Sequence, residues 1–189
     1  YLSMQTIRTT LNLDRELMKF WPDPGREGGP GQPSPKRPRP PKEDPNAVYQ
    51  VPVAGRPFKG PKDAKVTIAI YSDYECPWCA RTEPLFNDIA KKYPNDVKFV
   101  WFDFPLRFHK NALPAAIASH EVFVQKGDAT FFTYHDKLFA NAKNLTEENL
   151  VAWAKEVGAD GAKVAEALKT KKHEKVVNDA MMTGQRIGV

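Results

Sequence analysis

The chain has little cysteine: two residues, Cys76 and Cys79, in 189. A framework of several disulfides is therefore excluded, and stability has to come from a hydrophobic core. No apolar run approaches the roughly 18 residues that a membrane-spanning helix needs. Position 1 is Tyr, and no charged start leads into an apolar signal segment, so the chain is read as a mature or excised piece of something longer. Charge of one sign is also lacking. The 28 basic residues interleave with 23 acidic ones for a net +5. That pattern describes a solvated mixed surface, and no groove-reading motif accompanies it, so nucleic acid is not expected as a partner.

Between Pro22 and Pro45 there is no aliphatic or aromatic residue, while prolines and glycines make up more than half of the segment. It cannot bury enough surface to offset its ordering entropy, so residues 22–47 are read as an extended, semi-rigid linker. The basic run Lys36 to Lys42 inside it serves as a charged spacer or as a ligand for a groove. Upstream, residues 1–21 carry Leu11, Leu13, Leu17, Met18, Phe20 and Trp21, a pattern for a short amphipathic helix ending a preceding domain. The remaining 48–189 is long enough for one domain of ordinary size.

What is present is concentrated in Cys76-Pro77-Trp78-Cys79. Ala64 to Glu75 reads as a buried strand followed by a turn, and Ala80 to Tyr93 as a helix, so the two thiols open a helix. At a helix start the first N–H groups lack intrahelical partners and carry the positive end of the dipole, which favours a thiolate. Pro77 suits the first helical position because it has no N–H to leave unsatisfied. Strand, turn, Cys-x-x-Cys and helix together form a thioredoxin-type redox arrangement, with Cys76 as the exposed nucleophile and Cys79 as the shielded resolving thiol. Half of a zinc site or an inert pair are the alternatives. His109, His120, His135 and His173 stand singly and never at knuckle spacing, so no metal or other cofactor is expected.

The run from Gly60 to Cys79 resembles the start of a DsbA-like thiol:disulfide oxidoreductase of the thioredoxin superfamily. Val97 to Pro105 resembles that family's next strand, and Leu106 to Ala116 its loop into an inserted helical domain. The resemblance implies an α/β thioredoxin-like fold with a helical insertion at about 106–186. It implies an extracytoplasmic enzyme of the periplasm or cell envelope, acting on protein thiols and disulfides with a redox partner protein. Glu75, Pro77 and Trp78 form the expected active-site environment, with Trp78 on the rim as a contact for unfolded substrate, and His109 is a candidate supporting residue. Two departures stand out. Ile70 occupies the position six before the first cysteine, where many members carry a carboxylate, and the cis-proline loop, hairpin and last helix that would follow Val189 are missing. The chain is therefore read as truncated, with strand Val66 to Tyr71 lacking a neighbour that a swapped segment or another chain would supply.

After Pro105 the apolar period lengthens to about 3.6, giving helices over 111–126, 129–140, from Thr146, from Asp160 and over 173–187. His120 and His135 fall within them and are read as core or boundary residues. Function is read as protein thiol:disulfide exchange through Cys76 and Cys79. A tethered, non-catalytic interaction module is the alternative.

Overall fold

A computed structural model describes residues 48–189, and the readings made for 1–21 and 22–47 lie outside it. One compact unit runs from Val51 to Val189. Its elements are β1 (Phe58–Lys59), β2 (Val66–Ser72), α1 (Pro77–Lys92), β3 (Val97–Asp103), α2 (Ala112–Ala140), α3 (Glu147–Glu156), α4 (Gly161–Thr170) and α5 (Glu174–Arg186). A mixed sheet with a run of helices after β3 is the α/β arrangement with a helical insertion that the sequence led us to expect.

The sheet order is β1-β3-β2. β2 runs parallel to β3 from Val66 opposite Val97 to Ser72 opposite Asp103, while β1 is antiparallel to β3. Among the described residues β2 has a partner on one side only. β3 lies in the middle, and its sequence VKFVWFD is apolar almost throughout because both of its faces are covered.

On one face Val100 and Phe102 pack with Ala180 of α5 and with Tyr71, whose ring stacks on Phe102 at 4.6 Å. Gly184 permits this approach of α5. A Cβ there would lie 2.8 Å from the Phe104 ring and 3.0 Å from Tyr71. On the other face Trp101 sits among Tyr74, His135 and Phe139, with ring centroids at 5.2, 4.5 and 5.9 Å.

The helices begin where the sequence signals them. Thr146 accepts from the Asn149 N–H, and Asp160 accepts from the N–H groups of Ala162 and Lys163, each satisfying first-turn donors. The two helices expected over 111–140 are joined as α2, with the helical course broken at Gly127 (φ 75°, ψ −169°), a conformation for which glycine is suited. His120 and His135 are buried in the core. His135 ties α2 to α1, its Nε2 lying 3.0 Å from Glu83 Oε2.

The Trp101 side of β3 also buries charge. Asp103 is 2% exposed; its Oδ1 accepts from Trp101 Nε1 at 2.9 Å, while Oδ2 lies 3.8 Å from His120 Nδ1, and neither of these two atoms has a hydrogen-bond partner. Burial raises the Asp103 pKa from 3.8 to about 6, against the opposing Trp101 bond and the Arg56 and His135 charges. Burial, then the nearby His173 and Arg56 charges, lowers that of His120 from 6.5 to about 4.

The two groups act on stability with opposite sign. Folded Asp103 holds a proton that the unfolded chain releases, so its contribution is complete below pH 3.8 and lost as pH rises through about 6. Folded His120 refuses a proton that the unfolded chain takes, so its contribution is present above pH 6.5 and lost as pH falls through about 4. Between pH 4 and 6 the slopes offset each other. Asp103→Asn, which keeps the acceptor for Trp101, should therefore gain on the order of 2–3 kcal/mol at pH 7 to 8 and lose stability more steeply between pH 6.5 and 4. Urea unfolding across that range checks it, and a variant with the native slope and no gain contradicts it.

Candidate functional site

The two cysteines sit where β2 ends and α1 begins. Cys76 is the N-cap of α1 (φ −78°, ψ 118°) and Pro77 is its first residue. The preceding turn closes through the Cys76 N–H, which donates to the Asp73 carbonyl at 3.1 Å. Two details differ from the sequence reading. Cys76 is only 8% exposed, because its backbone is enclosed in that turn, and its side chain accepts no capping bond from the first helical N–H groups. Cys79 is the less covered of the pair.

The state of Cys79 is set by its surroundings. Burial pushes its thiol up from 9.0 to about 11; the Ser72 hydroxyl and the Asp73 backbone N–H, which bond to it, pull the other way, and Cys76 raises it further. A thiol at that value is about one ten-thousandth ionised at pH 7. Cys79 is thus held as S–H beside Cys76, in place to attack a sulfur bonded to Cys76 once its proton leaves.

Around the pair, Trp78 is 56% exposed, as its place between the cysteines suggested, and the Arg81 guanidinium lies 4.7 Å above its ring. A second exposed aromatic, Phe108 at 76%, was missed in the sequence; its ring meets the His109 ring at 4.5 Å. Being apolar within the otherwise polar loop Arg107 to Asn111 was the signal it offered.

The loop between β3 and α2 is bound to the redox turn by acidic side chains. Asp73 Oδ1 accepts from the Glu75 N–H at 2.7 Å, and its Oδ2 accepts from the Leu106 N–H at 2.8 Å and from His109 Nδ1 at 2.7 Å. Glu75 Oε2 accepts from the Asn111 N–H at 2.8 Å, the residue that precedes α2. The structure thus brings together Cys76, Cys79, Pro77, Trp78, Glu75 and His109, and adds Ser72 and Asp73. Among the described residues no cluster of three or more His, Cys, Asp and Glu is grouped so as to hold a metal ion.

The family model described as Thioredoxin matches residues 53–189. The fold is similar to that of BdbD from Bacillus subtilis in its oxidised form, with 28% identity and a TM-score of 0.67 over 73% of this chain and 78% of that one. It is also similar to the thiol-disulfide exchange protein alpha-DsbA2 from Wolbachia pipientis, at 19% identity and a TM-score of 0.62 over 71% of each chain. In sequence, the chain is 34% identical over 103 residues to the Na(+)/H(+) antiporter NhaA 3 of Salinispora tropica. That match covers 54% of this chain and 15% of the antiporter, so the chain spans only a small part of the curated relatives it matches.

Cys79 is the less covered of the two, but burial holds its thiol protonated at neutral pH and the thiolate is the nucleophile, so exposure alone does not decide which cysteine reacts first. A brief iodoacetamide pulse on the reduced protein at pH 7 should label Cys76 first, with Cys79 labelling rising only as pH approaches 11. Mass mapping reads the two sites, and faster labelling of Cys79 at pH 7 reverses the roles.

Proposed function

Because the chain belongs to the thioredoxin family over residues 53–189, we propose that it is a protein thiol:disulfide oxidoreductase in which Cys76 is the nucleophile and Cys79 the resolving thiol. The observation that carries this reading is the placement of the pair: Cys76 at the N-cap of α1, with Cys79 one turn on along the same helix.

In the reducing direction the Cys76 thiolate attacks one sulfur of a substrate disulfide. A Cys76–substrate disulfide forms and the other substrate sulfur leaves as a thiolate. Cys79 then gives up its proton, its sulfur attacks Cys76 Sγ, and the second substrate sulfur departs with the bonding electrons. The substrate has gained two electrons and the protein is oxidised to the Cys76–Cys79 disulfide. The oxidising direction is the reverse. A substrate thiolate attacks Cys76 Sγ, Cys79 leaves and is protonated, and a second substrate thiolate releases Cys76. The protein supplies the dithiol couple itself and needs no further cofactor.

The substrates are protein thiols and disulfides, with the exposed Trp78 and Phe108 offering apolar contact to an unfolded chain. The resemblance to DsbA-like enzymes supports an extracytoplasmic setting, in the periplasm or cell envelope, and a separate redox partner protein. No helix of the described residues is long and apolar enough to cross a membrane. Among the described residues one side of β2 carries no strand, which supports completion of the sheet by another segment or chain. A second reading, a thioredoxin-type module carried by a membrane transporter without turnover of its own, is favoured by the likeness to part of the antiporter NhaA 3.

Cys79→Ala separates the two. Incubated with an unfolded, disulfide-bearing protein, this variant should accumulate a mixed disulfide through Cys76 that dithiothreitol releases, since the resolving step is removed. The native chain should pass through the same adduct without accumulating it. No adduct on the variant, together with no exchange by the native chain, supports the module instead.

A further inference from the structure

The Asp73 carboxylate carries more bonds than any turn of four residues requires. Its residue is 3% exposed, and a buried carboxylate is costly unless its oxygens meet donors. It meets three: the Glu75 N–H from its own turn, and the Leu106 N–H and His109 Nδ1–H from the loop after β3. The same residue's backbone serves both cysteines, its carbonyl accepting the Cys76 N–H and its N–H bonding the Cys79 thiol. A continuous set of contacts therefore runs from the His109 ring through Asp73 to Cys76 and Cys79. A carboxylate oxygen can only accept, so the ring nitrogen facing it is the one that carries hydrogen.

Resting on the oxidoreductase reading, we propose that His109 is a positioning residue for the resolving step: by donating to Asp73 it fixes the redox turn so that Cys79 Sγ stays aligned with the Cys76–substrate disulfide. Attack of one sulfur on another is sensitive to such alignment, and small misplacements in a preorganised site cost large factors in rate. The bond crosses 36 residues of sequence. Without it, Asp73 is held across the loop by the Leu106 N–H alone, and the turn gains freedom around the cysteine pair.

The test is made on the full chain loaded at Cys76 with glutathione. In the step measured, Cys79 loses its proton, a bond forms between the Cys79 and Cys76 sulfurs, and the bond to glutathione breaks. Glutathione leaves as the thiolate with the electron pair, so the protein is oxidised and glutathione reduced. Released glutathione is followed in time, and the bimolecular loading of Cys76 is measured separately. His109→Ala should slow release about tenfold. His109→Asn places an amide N–H near the position of Nδ1 and should restore release to within about threefold of the native rate. His109→Gln carries its donor one carbon further and should stay slow, so the Asn and Gln pair decides the matter even where His109→Ala fails to fold. Asp73→Asn, which turns one acceptor into a donor, should be slow as well. Native release rates in a folded His109→Ala, or equal slowing in the Asn and Gln variants, would overturn the assignment and leave His109 as packing. A native chain that never loads at Cys76 overturns the oxidoreductase reading, and the assignment with it.

Discussion

A carboxylate taken out of water needs its lone pairs filled, and Asp73 meets that requirement with donors from two different parts of the chain. One donor, the Glu75 N–H, makes the turn after β2. The others, from Leu106 and His109, bring the loop after β3 against that turn. Where β2 ends, where α1 begins and where the helical insertion departs from the sheet are settled together by one side chain. Glu75 repeats the device one step along, taking the Asn111 N–H just before α2. The two acids that precede the cysteines are thus structural partners of the insertion.

The same division of labour is seen across the sheet. β3 supplies the hydrophobic centre, with Val100 and Phe102 turned toward α5 and Trp101 toward α2. Its last residue, Asp103, introduces charge into that centre, with His120 opposite. In this chain the strand residue six before Cys76 is Ile70, paired with Trp101 in the ladder. The buried carboxyl stands instead on the neighbouring strand, two residues beyond Trp101 and opposite Ser72, whose hydroxyl bonds Cys79.

Much of this was legible in the residues. The β-branched run Val66 to Ile70, Pro77 after Cys76, and the capping residues Thr146 and Asp160 each act locally, so their patterns hold before any tertiary structure is known. The cysteine spacing is local in the same sense. What was not legible depends on contacts between distant segments. The role of Asp73 was invisible because its partners lie 33 and 36 residues away, and an acidic residue beside a cysteine reads first as unfavourable charge. The low exposure of Cys76 was misread because a helix N-cap is usually open, whereas here the turn folds over it. The break between the helices over 111–126 and 129–140 was legible, since the pause in the apolar period falls on Gly127, whose backbone is non-helical.

The central claim is that Cys76 and Cys79 form one reversible dithiol/disulfide couple. Trp78 brings no positive charge between them, while Asp73 and Glu75 stand close by, so the reduced pair should be less favoured than in the strongest oxidants. Equilibration of the native chain with glutathione buffers, read by mass after acid quenching, measures the couple directly. A single two-electron transition between about −240 and −130 mV is the expected result. A potential below that of thioredoxin, about −270 mV, or a pair that does not equilibrate with glutathione, would mark the disulfide as structural and contradict the claim.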